Sequence, residues 1–114
     1  MYIDIKIRTK KFSLTIIRLV TDFVRNKEAF VIGRQLLRSG TSIGANLAEA
    51  VSSRSRLEYK NINNIALKEC NETIYWLELS AEADLTDRYK IQKALQEARE
   101  ISKILAKIVI RLAE

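Results

Sequence analysis

Glu49, Glu69, Glu72 and Arg38 are the side chains of this 114-residue chain that come nearest to a reactive cluster. Carboxylates gathered across two helices can hold a cation or share a proton. Half-buried glutamates, however, far more often pair with arginine or cap backbone groups, and an Arg38-centred polar network is the expectation here. The chain contains no histidine. That removes the Ser-His-Asp and Cys-His nucleophile–base pairs, the Glu-x-x-His ligand spacing of di-iron bundles, and zinc sites. The single cysteine, Cys70, falls on an apolar helical stripe, where a thiol acts as a small hydrophobe. Gly40 and Gly44 are followed by no Lys-Ser/Thr pair, so they do not form a phosphate loop. They read instead as small-residue contacts that let another helix approach closely. No catalytic residue, metal site, cofactor or small-molecule substrate is expected, and the chain is not read as an enzyme.

Cations offer a different chemistry. Arg99, Lys103, Lys107 and Arg111 recur about one helical turn apart and could grip successive phosphates, although Glu97 and Glu100 intrude on the stripe. Lys11, Arg18 and Arg25, seven apart, would line the outer face of a first helix. The net charge of +6 is unevenly placed: residues 1–57 hold eleven Lys/Arg against four Asp/Glu, and residues 58–114 hold nine against ten. A basic excess confined to one half suits a polyanionic partner, but mixed-sign charge at this density also serves solubility.

These residues need helices to position them. With no proline and only three glycines, the composition suits long uninterrupted helices rather than a turn-rich β fold. The opening residues alternate Ile3, Ile5 and Ile7 with Asp4, Lys6 and Arg8, which predicts an extended N-terminal arm over residues 1–11. A single four-helix domain is expected over residues 12–114. Its first helix runs from about Phe12 to Arg25, with Phe12, Ile16, Leu19, Val20 and Phe23 on one face. A break at Asn26-Lys27-Glu28 precedes a second helix, Ala29 to Ser52, with Ile32, Leu36, Gly40, Ile43, Leu47 and Val51 inward. Its uncharged middle, Ser39 to Ala48, looks enclosed on several sides.

Ser55 and Glu58 have capping-box spacing and open a third helix that runs to about Ala83. Its core stripe holds Tyr59, Ile62, Ala66, Cys70, Thr73, Ile74, Leu77 and Ala81. Ile65, Trp76 and Leu79 lie about 100° away on a second apolar stripe, with Tyr75 nearby, more than one bundle can bury. A fourth helix, capped by Thr86 or Asp87, carries Ile91, Leu95, Ala98, Ile101, Leu105, Ile108, Val109 and Leu112 inward. Short connections make the helices turn back on one another, so the fold class is all-α, an antiparallel up-and-down four-helix bundle. The surplus apolar surface predicts self-association, the alternative being that the N-terminal arm folds back over the second stripe and leaves a monomer. Every apolar run is cut by Lys or Arg before the ~18 residues a membrane span needs, and no signal-peptide pattern opens the chain, so the expectation is a cytoplasmic protein that does not span the bilayer.

The runs QLLRSGTSIGANLAEA (Gln35 to Ala50) and ALKECNETIYWLEL (Ala66 to Leu79) closely resemble the 23S rRNA intervening-sequence protein family, with a likeness over about residues 12–112. That family includes the accessory variability determinant of diversity-generating retroelements. The resemblance implies a bacterial four-helix bundle assembled as a ring-like homopentamer, one that in this relative binds nucleic acid and a reverse transcriptase. It assigns interior or interface roles to Arg38, Ser39, Gly40, Gly44, Asn46, Glu49, Glu69, Glu72 and Trp76, to which the second stripe adds Ile65 and Leu79. Ser13 and Cys70 stand where the family pattern leads one to expect alanine. The leading expectation is thus a non-enzymatic homo-oligomer that binds RNA or DNA through basic stripes, as an accessory factor. The alternative is a scaffold that recruits a protein partner and has no nucleic-acid role.

Overall fold

In the computed structural model, which describes residues 4–114, four helices follow one another and no strand occurs among the described residues. They are α1 (Ile5–Thr21), α2 (Lys27–Ala50), α3 (Arg56–Glu82) and α4 (Arg88–Ala113). At about 1.5 Å rise per residue, the 27 residues of α3 run the length of a molecule measuring 45 × 26 × 19 Å.

Each helix starts on a side-chain cap that satisfies an otherwise unpaired amide. Asp4 accepts from Lys6 N, Asn26 from Ala29 N, Ser55 from Glu58 N and Asp87 from Tyr89 N. The Asp4 cap overturns part of the expected arm: residues 5–11 are helical, and the portion of the arm at residues 1–3 lies outside the described residues. The isoleucine alternation was a weaker signal than the helical spacing of Ile5, Thr9, Phe12, Ile16 and Leu19, which packs against the core. At the other end α1 stops at Thr21, so Arg25 lies in the connection to α2 and not on a helical face with Lys11 and Arg18. Glu58 reaches back to Arg54 N at 3.2 Å, one residue beyond the Ser55 amide that a capping box uses.

The turn after α3 has a specific cause. Asp84 adopts φ 54, and Leu85 N donates to Ser80 O while Asp84 N donates to Ala81 O. This is the Schellman arrangement, in which one left-handed residue lets the last carbonyls find donors. It turns Leu85 into the core, where its carbonyl accepts from Val24 N at 2.8 Å and ties the first and third connections together.

Phe12, Ile16, Leu36, Ile43, Leu77, Ile91, Leu95, Ile101 and Leu105 fill the centre. Neighbours in sequence pack together, and α1 also packs on α4. Gly33, Gly40 and Gly44 of α2 meet Val20, Ile16 and Thr9 of α1 in turn, so contacts descend one helix as they climb the other. The uncharged middle of α2 is enclosed only in part: Ser39, Gly40, Ile43 and Leu47 are buried, whereas Ala45 and Ala48 face outward. Val51, expected inward, is exposed beyond the helix end, and Tyr59, also expected inward, is 40% exposed in the first turn of α3, before the stripe reaches the core. Among the described residues, no helix is long and apolar enough to cross a membrane.

Candidate nucleic-acid interface

Helix α1 carries five Lys/Arg and no Asp/Glu, helix α4 seven against two, and folding sets the two side by side. The link between them is Arg8. Its guanidinium donates two hydrogen bonds of 2.7 Å to the Glu97 carboxylate and one of 3.3 Å to Glu100. A planar fork facing a carboxylate is a geometry that only arginine supplies. The pair raises the Arg8 pKa, first by the Glu97 hydrogen bonds and then by charge attraction, against the cost of burial. Farther along the seam Lys90 donates to Asp22 at 3.1 Å. Glu97 and Glu100, which interrupt the α4 stripe in sequence, are thereby occupied by Arg8.

Lys11 and Arg18 are exposed on α1; Lys103, Lys107 and Arg111 are exposed on α4; none of these five forms an ion pair among the described residues. The fourth member of the α4 stripe differs: Arg99 donates to Glu78 of α3 at 3.1 Å. Arg56 donates to the carbonyls of Arg111 and Leu112, closing the C-terminal end of α4 with positive charge where the helix dipole is negative. Two further exposed basic residues that spacing did not single out are Lys6, which lines a cavity with Lys107 and Arg111, and Lys93, which lines a groove with Arg99 and Lys103. Lys6 was hidden by the arm reading. Lys93 was hidden because it lies on the stripe's flank.

The polar network between α2 and α3 forms, with a smaller membership than expected. Arg38 pairs with Glu72 and, at 3.3 Å, with Glu69; Trp76 Nε1 donates to the Glu72 carboxylate at 2.9 Å. Glu49 is exposed and pairs with nothing there: eleven residues separate it from Arg38 along α2, about 16 Å of helix. Asn46 likewise serves its own helix, donating to Ser42 O at 2.8 Å. With both carboxylates engaged by Arg38, the arrangement is an interhelical clasp rather than an acidic site.

Beneath the clasp, the hydroxyls of Ser39 and Thr73 meet 2.9 Å apart, and Thr73 also donates to Glu69 O at 2.8 Å. Gly40 is buried and Gly44 half-buried against α1. Of the second apolar stripe, Ile65 is 46% exposed and Tyr75 56%, while Trp76 and Leu79 are half-buried. Tyr75 meets the Trp76 ring edge-on at 5.0 Å. Cys70 is fully buried, its thiol donates to Ala98 O at 3.2 Å, and burial followed by the nearby Glu97 charge pushes its pKa up to about 12.

Comparison with known proteins follows the same lines. A family model described as 23S rRNA-intervening sequence protein matches residues 3–107. A 1.70 Å crystal structure of a protein of unknown function from the S23 ribosomal protein family of Bacteroides thetaiotaomicron is 40% identical. The match covers 93% of this chain and 98% of that one, with a TM-score of 0.86. No curated protein matches the chain significantly.

Proposed function

Since the chain belongs to the 23S rRNA-intervening sequence protein family, we propose that it is a non-enzymatic, homo-oligomeric RNA- or DNA-binding protein of the cytoplasm, an accessory factor to a larger nucleic-acid enzyme such as a reverse transcriptase. The observation that carries this reading is the seam between α1 and α4. There Arg8 occupies the intruding glutamates, and Lys11, Arg18, Lys103, Lys107 and Arg111 remain without carboxylate partners. Each phosphate contact is weak alone, but copies of the face held in one assembly would act together.

Two structural claims accompany it. The reversed order of contacts between α1 and α2 supports an antiparallel up-and-down bundle. Exposed apolar side chains lie on every helix; those on α2 and α3 or the turn between them, among them Phe30, Val31, Val51, Leu57, Ile65 and Tyr75, support burial against further copies, in the five-membered ring that the family resemblance implies.

Replacing Lys103, Lys107 and Arg111 by glutamate tests the reading. RNA binding should vanish while the mass of the assembly stays the same; retained binding would remove this face as the interface. The same exposed apolar residues favour a second reading, a scaffold for a protein partner. Under it the triple replacement would leave function untouched.

A further inference from the structure

An aromatic ring stands at the start of the basic face. Tyr89, the second residue of α4, is 68% exposed, and the Lys93 ammonium sits 5.2 Å from its ring centroid. Lys93 covers one side of the ring, and the exposure leaves the rest open. Gln92, Gln96 and Lys103 continue the same helix face and, with Tyr89, Lys93, Arg99 and Glu100, line a shallow groove of about 600 Å³.

The surrounding acids are already engaged. Asp22 accepts from Lys90, Asp84 from Arg88 and Glu100 from Arg8, while Asp87 caps the helix by accepting from Tyr89 N. Lys93 and Lys103 form no ion pair among the described residues. The groove therefore joins an open π face, two carboxamides and two uncompensated cations about 15 Å apart along the helix.

We propose that this groove takes single-stranded RNA or DNA, with an unpaired base stacked on Tyr89, an adjacent phosphate on Lys93 and a phosphate farther along the strand on Lys103. The proposal rests on the reading of α4 as a nucleic-acid face and goes beyond it by specifying the strand form. Phosphate contacts alone do not distinguish a duplex from a single strand. An exposed ring does, because only an unstacked base offers it a π face. Gln92 and Gln96 each carry a donor and an acceptor for the edge of such a base.

The test is fluorescence anisotropy at 50 mM salt on the full chain, with a labelled ten-nucleotide RNA single strand and a duplex of the same sequence. Wild type should bind the single strand more tightly. Tyr89→Ala should weaken single-strand binding at least about fivefold, the lower end of what loss of one stacked base costs, and leave duplex binding within about twofold. Tyr89→Phe, which keeps the ring, should match wild type. Unchanged single-strand affinity in Tyr89→Ala, or equal losses on both probes, overturns the stacking site and leaves the basic face standing. Failure of wild type to bind either probe overturns both.

Discussion

A Cβ placed on Gly40 would lie 2.9 Å from both Cγ1 and Cγ2 of Ile16, whose side chain is fully buried. The small residue in α2 thus sets how closely α1 approaches, and with it the depth at which the basic face of α1 sits beside α4.

Gly40→Ala should destabilise the fold by about 1–2 kcal/mol: overpacking costs about 1–3 kcal/mol, offset by up to ~1 kcal/mol of improved helix propensity. Urea unfolding would show a lowered midpoint. Gly33→Ala is the contrast. Its Cβ would come tightest to Val20 Cγ1, at 3.1 Å, on a half-buried side chain that can yield, and would meet the Phe23 ring at an ordinary 3.5 Å, so its midpoint should stay near wild type.

Ser39 and Thr73 form one hydroxyl pair in the α2–α3 interface, so their removal should not be additive. Each single change, Ser39→Ala or Thr73→Val, should cost about 1 kcal/mol. The double variant should cost less than the two together, because no buried hydroxyl is then left without its partner. Additive losses in a double-mutant cycle would show that the two groups act separately.

These two sites also show what sequence could and could not reveal. The inward stripes of α2, α3 and α4 were legible from periodicity, since burial demands apolar residues every third or fourth position, except at the helix ends, where Val51 and Tyr59 are exposed; Ser55 was legible as a cap, and Asp87 as one of two candidates with Thr86. The start of α1 was not. Ile3, Ile5 and Ile7 satisfy a period of two as well as Ile5, Thr9 and Phe12 satisfy a helix, and the Asp4 cap together with a buried Thr9, whose hydroxyl donates to Ile5 O, decides between them. The Arg38 clasp was legible in kind but not in membership: types of residue do not reveal that Glu49 lies three turns too far along. Arg8 was missed altogether, because its partners Glu97 and Glu100 are far away in sequence.

Cys70 should be inert in the folded protein. With its pKa up at about 12, against an ordinary 9.0, the thiolate that reacts with alkylating reagents is scarcely populated at pH 8. Iodoacetamide should modify it in urea and not in buffer; rapid modification in buffer would mean the core opens locally. The sign of the linkage is fixed: a folded pKa raised above the unfolded one contributes stability at pH below about 9, and this is lost as pH climbs from about 9 to about 12. Cys70→Ala should flatten that alkaline loss, read as the unfolding midpoint against pH.

The apolar surface of α3 should be covered by further copies of the chain. Light scattering at micromolar concentration should give a mass several times that of the 13.1 kDa chain. Ile65→Asp should lower this mass with helical content unchanged, since Ile65 is already 46% exposed in the single chain. A 13.1 kDa species in the wild type would contradict the assembly.

The central claim is that the α1–α4 face meets phosphates, and salt tests it most directly. Binding of a labelled structured RNA should be detected at 50 mM salt and fall steeply by 200 mM, because each neutralised phosphate releases counterions. Replacing Lys103, Lys107 and Arg111 by glutamate should remove the binding. Undetectable binding at 50 mM, or binding that is indifferent to 200 mM salt, would contradict the account.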